Sequence, residues 1–308
     1  MSHDSVTVRV PGSIGNVGPG LDVLGLAVAG AHDAVTISWS DDPGLVVRDA
    51  GHPALPTDPG RNTAAIAATA VFARCGVRRG AALSITKGLP LSGGQGGSAA
   101  SAVAGAVAAN VLAHGQLDTA ALLECALEGE AAVAGRHGDN LAPSLLGGLV
   151  LVRSIAPMDV VRLPVPNGLV IVLAHPAQTM ATREARAVLP TTITRDLAIA
   201  QMADVAAMVA GACLGDLALL GRALTDRIAE PPRAALLTGF PAAKRAALHA
   251  GALGCSISGA GPTAFALCDA PATAERVAAA MVSGYASEGV AATARVTVAD
   301  LDGAVVTS

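Results

Sequence analysis

The fold of this chain is decided by one stretch, which reads Lys87-Gly88-Leu89-Pro90-Leu91-Ser92-Gly93-Gly94-Gln95-Gly96-Gly97-Ser98-Ala99-Ala100-Ser101. The stretch follows a strand-like run over residues 82–86 and leads into a helix pattern that begins at about Ser98. Glycine leaves backbone N–H groups accessible, and the first turn of a helix adds unpaired donors and a positive dipole end. The stretch therefore predicts a loop that holds a phosphate group at a helix N-terminus.

Other interpretations of the same glycines remain open. No Gly-Lys-Ser or Gly-Lys-Thr ends the stretch, so it is not a Walker loop. A dinucleotide pattern, Gly94-Gln95-Gly96-Gly97-Ser98-Ala99, is weak because residues 88–93 separate it from the strand. The acidic residue about twenty positions on, Asp118, lies where a helix begins rather than at the end of a second strand. A loose glycine turn packed against an alanine-rich helix also fits the run by itself.

Composition narrows the class of protein. The chain has 308 residues, a length that favours two domains. Hydrophobic residues make up 52% of it, but only one Trp, one Tyr and three Phe are present, so small aliphatic side chains must fill the core. A net charge of −4 and the lack of a basic run argue against a nucleic-acid partner.

The sequence does not predict a membrane segment, a disulfide framework or a zinc site. Residues 1–5 lack the basic and apolar parts of a signal peptide. Residues 99–113 are too short and too rich in Ala, Ser and Gly to span a bilayer. The five cysteines form no Cys-x-x-Cys pair and leave one residue over. We therefore expect a soluble cytoplasmic protein without a membrane partner.

Local patterns predict an α+β fold. Strands are predicted over residues 6–10, 24–39, 83–86, 147–153, 160–163, 169–174, 255–257, 263–267 and 292–298. Helices are predicted over residues 62–75, 98–114, 118–134 and 273–281, and within a helix-rich region over residues 182–250. Because strands and helices mix without regular alternation, the pattern indicates two layers in each half of the chain.

Two further glycine loops accompany the central stretch, Pro11-Gly12-Ser13-Ile14-Gly15-Asn16-Val17-Gly18-Pro19-Gly20-Leu21-Asp22 and Ser258-Gly259-Ala260-Gly261-Pro262-Thr263. In this order and at these distances, the three loops resemble the three motifs of the GHMP small-molecule kinases. Three more segments resemble the homoserine kinase branch of that family; they are His137-Gly138-Asp139-Asn140-Leu141-Ala142-Pro143, Glu184-Ala185-Arg186-Ala187-Val188-Leu189-Pro190 and Ile228-Ala229-Glu230-Pro231-Pro232-Arg233. The similarity extends over nearly the whole chain.

The resemblance implies a two-domain GHMP kinase fold with ATP bound between the domains. The N-terminal domain, residues 1–153, would contain a left-handed βαβ unit, and the C-terminal domain, residues 154–308, would be ferredoxin-like. Ser98 and Glu130 would hold Mg²⁺, since a hydroxyl and a carboxylate suit a small hard cation. The implied nucleotide-binding residues are Asn62 and Lys87 near the adenine, the phosphate loop Pro90, Leu91, Ser92, Gly93, Gly94, Gln95, Gly96, Gly97, Ser98, Ala99, Ala100 and Ser101, and the glycines Gly259 and Gly261.

The phosphate loop departs from the family pattern at two positions. Where the family usually has Gly-Leu-Gly-Ser-Ser, this chain has Gly94-Gln95-Gly96-Gly97-Ser98. Gly97 lacks a hydroxyl but keeps the backbone N–H, which does most of the anion binding. Gln95 replaces an apolar residue with an amide that we expect to contact phosphate or to face water.

The implied acceptor pocket suits homoserine, which carries an ammonium, a carboxylate and the hydroxyl to be phosphorylated. Asp22 would meet the ammonium, and Arg186 and Arg233 offer planar forks for the carboxylate. Asn16 and His137 would orient the hydroxyl end. A sugar would need neither charge pair and mevalonate only the cationic one, so these charges favour an amino-acid substrate.

The resemblance also bears on the catalytic base. Asn140 stands where many GHMP kinases place an aspartate, and an amide takes no proton at neutral pH. We therefore expect direct in-line attack, with Asn16, His137, Asn140 and Arg186 positioning the reactants. The direction of the adjacent Asp139 side chain is not predicted.

Several other functions compete with this one. They are a mevalonate-type kinase, a phosphorylating decarboxylase, a nucleotide-binding regulator without catalysis and, least, a dinucleotide oxidoreductase. A homodimer is possible.

Overall fold

Two β-sheets carry the fold, which the computed structural model describes over residues 4–308. The strands are β1 (Ser5–Gly15), β2 (Leu24–Trp39), β3 (Leu45–Asp49), β4 (Ala81–Thr86), β5 (Leu149–Ile155), β6 (Met158–Leu163), β7 (Val170–Pro176), β8 (Gly254–Ile257), β9 (Ala264–Cys268), β10 (Ala292–Thr297) and β11 (Val305–Val306). The helices are α1 (Thr63–Arg74), α2 (Gly97–Leu112), α3 (Thr119–Ala131), α4 (Leu141–Leu146), α5 (Thr182–Ala187), α6 (Arg195–Leu214), α7 (Leu217–Ala223), α8 (Glu230–Ala234), α9 (Phe240–His249) and α10 (Pro271–Ala286).

The first sheet has seven strands in the order β11-β1-β2-β4-β3, with β5 also pairing with β2 and β6 with β5. Its centre is the long antiparallel pair β1 and β2, in which every second residue of β1 from Val6 to Val10 is buried. Strands β3 and β4 are parallel, and α1 crosses between them. This is a βαβ unit, as the family resemblance implied.

Helices α1, α2 and α3 pack against one another almost backbone to backbone. Asn62 starts α1, because its Oδ1 accepts hydrogen bonds from the N–H groups of Ala64 and Ala65 at 3.1 and 3.2 Å. A Cβ built on Gly105 in α2 would lie 2.3 Å from the carbonyl oxygen of Ala64, and one built on Gly129 in α3 would lie equally close to that of Thr63. Small residues at these contacts therefore let the helices pack closely in a chain with few aromatic side chains.

The second sheet has four antiparallel strands in the order β10-β7-β9-β8. Counted along the chain, that order is fourth, first, third and second, with helices after the first and third strands, which is the ferredoxin-like arrangement. Helices α9 and α10 bury Phe240, Met281 and Tyr285 against one face of the sheet. The chain thus has the expected α+β, two-domain fold.

A separate apolar cluster joins the two sheets. It combines Ile14 and Leu24 of the first sheet with Ile171 and Phe265 of the second, and α6 adds Met208. Strand β5 spans the predicted domain boundary at residues 153 and 154, and both β6 and β11 pair within the first sheet. The position of the boundary stays a prediction.

Several predicted elements end differently in the structure. Strand β1 continues to Gly15 where a glycine loop is predicted, because a shift of register at Pro11 and Gly12 lets it keep pairing with β2. Helix α3 ends at Ala131 rather than at residue 134. Strands β3 and β11 and helix α4 have no counterpart among the predicted elements. These three are short, and β3 is the last strand of its sheet with only partly buried residues.

Among the described residues, α6 is the one helix long and apolar enough to cross a membrane by length and composition alone. This helix is docked on the protein. Its Gln201 is buried and donates to the carbonyl oxygen of Pro19 at 2.7 Å, and its Met208 and Ala212 join the cluster between the sheets. These contacts give α6 a role within the fold.

The close contact between α1 and α2 predicts that replacing one helical glycine by alanine lowers the stability of the protein, whereas such a replacement ordinarily raises it. Alanine in place of glycine inside a helix ordinarily stabilises by about 1 kcal/mol. Gly105→Ala should instead destabilise the protein by roughly 1–3 kcal/mol, because the new methyl group meets backbone atoms that cannot turn away. Denaturant unfolding measures the difference. Gly60→Ala is the control, since the nearest atom to its Cβ is 3.4 Å away; equal stability of the two variants would refute the packing argument.

Candidate active site

A cavity of about 560 Å³ lies between the two domains. Most of the predicted site residues line it, namely Asn16, Asn62, Lys87, Pro90, Leu91, Ser92, Gly93, Gly94, Gly96, Gly97, Ser98, Ser101, Glu130, His137, Asn140, Arg186, Arg233, Gly259 and Gly261. Four predicted residues lie outside the lining. Ala99 and Ala100 face the protein core from α2, Gln95 is buried behind the loop, and Asp22 contacts Arg186 at the edge of the cavity.

The phosphate loop has the geometry of an anion site. No backbone carbonyl within residues 4–308 accepts a hydrogen bond from the N–H groups of residues 92–98. Gly94 and Gly96 have φ values of 73° and 68°, which are left-handed conformations that glycine adopts without strain. A Cβ at Gly96 would also lie 2.1 Å from Ser13 Oγ. Gly96 precedes the first turn of α2, so the free amides gather at a helix N-terminus.

The third glycine motif holds the opposite side of this loop. Ser258 Oγ donates to the carbonyl oxygen of Gly94, and Thr263 Oγ1 donates to that of Gly93. The Gln95 side chain neither contacts the cavity nor faces water, contrary to expectation: it is 6% exposed, and its Nε2 lies 3.4 Å from Thr263 Oγ1. His175 Nδ1 is 2.9 Å from the same hydroxyl. Gln95 therefore ties the loop to the second domain.

The two residues assigned to the adenine end are both engaged with the protein. Asn62 is 3% exposed; besides capping α1, its Nδ2 donates to the carbonyl oxygen of Pro56 at 3.0 Å. Lys87 Nζ forms an ion pair with Asp33, a residue that the sequence analysis missed. Nothing in the local pattern marks Asp33, because it lies 54 residues from Lys87 along the chain.

Ser98 and Glu130 meet at the phosphate end of the cavity. Ser98 Oγ donates to Glu130 Oε1 at 3.0 Å, while Oε2 is buried without any partner among the described residues. Burial raises the pKa of Glu130 to about 7; the hydrogen bond from Ser98 opposes that rise, and the nearby Asp139 adds to it. A buried, unpartnered carboxylate oxygen beside a hydroxyl and a phosphate loop is the donor set expected for Mg²⁺.

Asn16 organises the acceptor end of the cavity. Its backbone has a φ of 68°, and its N–H donates to Asp139 Oδ2 at 2.9 Å. Its side chain donates to the carbonyl oxygen of Gly259 at 2.8 Å and accepts from the N–H of Asp22 at 3.1 Å. One residue thus connects the first and third glycine motifs to the segment that contains Asp139.

The predicted receptors for the two substrate charges pair with each other. Arg186 makes a two-pronged ion pair with Asp22, through Nη1 at 3.1 Å and through Nη2. Its Nε is buried without a partner among the described residues. His137 Nδ1 lies 3.4 Å from Asp22 Oδ1, and burial lowers the pKa of this histidine although Asp22 acts against that shift. The cluster combines one carboxylate, one guanidinium and one imidazole.

Arg233 is buried deeper than Arg186, with 3% of its surface exposed. Its Nε donates to the carbonyl oxygen of Ala185 at 3.1 Å, and its Nη1 donates to that of Gly259 at 3.0 Å. Burial, together with the charge of Arg186, lowers the pKa of the guanidinium from its ordinary value. Both arginines line the same cavity.

Asp139 and Asn140 lie side by side on the cavity wall. Ser13 Oγ donates to Asn140 Oδ1 at 3.0 Å, which leaves the NH₂ group of the amide as its remaining donor. Asp139 is 3% exposed, and burial together with the charge of Asp22 raises its pKa to about 6. The sequence pattern did not predict the direction of the Asp139 side chain or the contact made by Ser13.

The raised pKa of Glu130 predicts a pH-dependent stability. An exposed glutamate titrates near 4.5 and Glu130 in the folded protein near 7, so between these values the native state holds a proton that the unfolded chain lacks. Stability from this group is therefore lost as pH rises through that window. The free energy of unfolding of Glu130→Gln, relative to that of wild type, should therefore increase by on the order of 3 kcal/mol as the pH is raised from 4 to 8.

Denaturant titrations at both pH values, without metal, test this expectation. Glu128→Gln is the matched control, because Glu128 lies on the same helix with 54% of its side chain exposed. A constant difference between Glu130→Gln and wild type at the two pH values would contradict the assignment.

The comparisons with known proteins agree with this geometry. Residues 62–148 match the family GHMP kinases N terminal domain, and residues 208–287 match GHMP kinases C terminal. Homoserine kinase of Chlorobaculum tepidum is 40% identical over 296 residues, covering 91% of this chain and 91% of the relative. Homoserine kinase of Halobacterium salinarum is 40% identical over 290 residues, covering 94% and 92%. That of Arabidopsis thaliana is 41% identical over 296 residues, covering 91% and 78%.

Solved structures give the same result. The crystal structure of homoserine kinase from Cytophaga hutchinsonii superimposes with a TM-score of 0.94 at 40% identity, covering 100% of this chain and 98% of that one. Mevalonate kinase of L. major shares the fold alone, with a TM-score of 0.71 at 16% identity. With both family domains and relatives at this identity over nearly the full length, the chain belongs to the GHMP kinase family and, within it, to the homoserine kinases.

Proposed function

We propose that the protein transfers the γ-phosphoryl group of ATP to the side-chain hydroxyl of L-homoserine, giving O-phospho-L-homoserine for threonine biosynthesis. The observation that carries the proposal is one cavity with free backbone amides at one end and Arg186 and Arg233 at the other, where Asp22 contacts Arg186 at the edge. The names of the relatives agree with it. The reaction is one of cytoplasmic metabolism, and the suggested homodimer stays a prediction to be checked by light scattering.

The charges at the acceptor end favour a zwitterionic substrate. In this structure Asp22 and Arg186 neutralise each other. A substrate with both an ammonium and a carboxylate can exchange with that ion pair and leave every charge compensated. A substrate with one charge would leave either Asp22 or Arg186 without a partner, which is unfavourable in a partly buried site. This is the physical basis for preferring homoserine over mevalonate-type acids.

The nucleotide end supplies positioning and charge neutralisation for phosphoryl transfer. The amides of residues 92–98 would bind phosphate oxygens from the N-terminus of α2. Ser98 and Glu130 would hold Mg²⁺, which would offset the negative charge that develops on the phosphate oxygens. Glu130 must be ionised for this role, and its pKa of about 7 leaves it poised to lose its proton.

The acceptor hydroxyl would attack without a strong enzyme base. The NH₂ group of Asn140 is available to donate to the hydroxyl oxygen and to orient its lone pair, but it takes no proton. Asp139 already accepts a hydrogen bond from Asn16 and shares its surroundings with Asp22. We assign Asp139 to holding the Asn16 loop, while the hydroxyl proton passes to a phosphate oxygen or to water.

The decisive experiment is a coupled assay of ADP release with homoserine, threonine, serine and mevalonate as acceptors. Phosphorylation of homoserine, identified by mass spectrometry of the product, supports the proposal. Turnover with mevalonate alone would favour an isoprenoid-type activity. ADP release without a phosphorylated acceptor, or nucleotide binding without turnover, would contradict the kinase assignment.

The exchange of ion pairs can be measured with homoserine analogues. 4-Hydroxybutyrate lacks the ammonium and 2-amino-1,4-butanediol lacks the carboxylate. Each should bind at least about tenfold more weakly than homoserine, since a lost charge-assisted contact is worth roughly 1.5–3 kcal/mol. In Asp22→Asn the penalty for a missing ammonium should shrink, and in Arg186→Gln the penalty for a missing carboxylate should shrink.

Competition against homoserine in the kinase assay gives these affinities. Arg183→Gln serves as the control, because Arg183 lines the same cavity but has no carboxylate partner within residues 4–308. If the two analogues lose as much affinity in Asp22→Asn and Arg186→Gln as they do in wild type, Asp22 and Arg186 do not contact the substrate charges.

The absence of a base predicts modest effects at two positions. Asn140→Ala and Asp139→Asn should each lower kcat by less than the roughly 10²–10⁴-fold that follows the removal of a general base. Asp139→Asn should act mainly on the KM for homoserine, because it loosens the Asn16 loop. The measurement is made at pH 8, above the pKa of about 6 for Asp139. A loss of kcat beyond a hundredfold in Asp139→Asn alone would make Asp139 the catalytic base.

A further inference from the structure

Asp33 accepts more hydrogen bonds than its place in a β-strand requires. It lies in β2, is fully buried, and stands next to the last pair of the β2–β4 ladder, Ala34 with Thr86. Its Oδ1 accepts from the N–H groups of Gly88 and Leu89, each at 3.1 Å. Its Oδ2 accepts from Lys87 Nζ and, at 2.9 Å, from Ser101 Oγ. Three of the four donors lie between β4 and the phosphate loop, and the fourth, Ser101, is the last residue of the loop.

Lys87 completes the same network from the other side. Its side chain is 7% exposed, and Nζ donates to Asp33, to the carbonyl oxygen of Gly97 at 3.1 Å and to Ser101 Oγ at 3.2 Å. A lysine ammonium has three protons, so its donors are all used. The positive charge of Lys87 is neutralised inside the protein rather than left for a ligand.

The network therefore connects both ends of the phosphate loop. Gly88 and Leu89 lie where the loop leaves β4, and Gly97 and Ser101 lie in the first and second turns of α2. Between these ends the loop contains Gly93, Gly94 and Gly96, and glycines have the largest conformational freedom to lose. With its ends fixed to one buried carboxylate, the loop has far fewer arrangements available.

We propose that Asp33 is the positioning residue of the phosphate loop, acting with Lys87 to set where the free amides of residues 92–98 point. Lys87 then serves the loop and makes no contact with the triphosphate. The inference deepens the proposed function, because it presumes that the loop binds ATP. It assigns a role to a residue outside the three glycine motifs.

The structure also explains why a charged pair stands here. A buried ion pair stabilises little unless its remaining donors and acceptors are satisfied. Here the carboxylate has four donors and the ammonium three acceptors, so the pair is fully hydrogen-bonded. Such a network has one well-defined geometry, and it fixes the loop more tightly than an apolar contact of the same size.

The test is a double-variant cycle with Asp33→Asn, Lys87→Met and the two combined. Kinetic assays give the KM for ATP, the KM for homoserine and kcat, and calorimetric titration with ATP gives binding without turnover. Each single variant should raise the KM and the Kd for ATP by about ten- to a hundredfold, while the KM for homoserine changes by less than about twofold. The combined variant should be no worse than the poorer single variant, because both changes break one network.

A matched pair elsewhere in the chain provides the control. Lys244 forms an ion pair with Glu230, which also accepts a hydrogen bond from Ser256 Oγ at 2.7 Å, so carboxylate, lysine and serine meet as they do at Asp33. Lys244→Met should lower the melting temperature without changing the affinity for ATP. If Lys244→Met weakened ATP binding as much as Lys87→Met, the effect would be loss of stability and the inference would fail.

The remaining outcomes also decide the inference. If Asp33→Asn folds and binds ATP with wild-type affinity, the inference is wrong. If the losses of ATP affinity in the two single variants multiply in the combined variant, Lys87 contacts the nucleotide independently of Asp33, and the inference is wrong for Lys87. If the single variants do not fold, the uncharged combined variant is tested by itself, and normal ATP affinity there would refute the role. If wild type binds ATP but leaves homoserine unphosphorylated, the proposed function fails, and ATP titration still decides the role of Asp33.

Discussion

The site depends on one constraint: a loop can offer its amides to an anion only if its carbonyl groups are held on the other side. Each peptide unit carries the N–H and the C=O on opposite sides, and both must find partners. The carbonyl oxygens of Gly93, Gly94 and Gln95 accept hydrogen bonds from Thr263, Ser258 and the N–H of Ser13. With three consecutive carbonyls taken by the protein, the amides are left for the cavity.

These donors come from both domains. The shape of the phosphate loop therefore depends on the relative position of the two domains. Ser13 belongs to β1 of the first sheet, whereas Ser258 and Thr263 are the first and last residues of the third motif, between β8 and β9. Asn16 adds a second connection through its bond to Gly259. The apolar cluster between the sheets packs the two domains together, and the hydrogen bonds at the cavity add directional contacts between them.

The sequence pattern predicted those helices and strands whose limits are set by residues close together in the chain. Strand β2 begins and ends as predicted, Asp118 caps α3, and the start of α2 follows the glycine loop. Resemblance added the architecture and brought together Asn16, Asp22 and Arg186, which do meet. The roles of Asp33 and Gln95 stayed hidden, because each depends on a partner 54 or 168 residues away and nothing in a local period marks such a pair.

The two departures from the family loop are consistent with this constraint. At Gly97 a Cβ would lie 3.4 Å from Lys87 Nζ, which is an ordinary contact distance, so the space for a Cβ does not require glycine there. What the loop uses from Gly97 is its backbone, since its carbonyl accepts from Lys87. At position 95 an apolar residue would fill the space behind the loop but donate nothing, whereas Gln95 adds a donor toward Thr263. The amide gained at Gln95 lies on the side of the carbonyls, where the loop is held in shape.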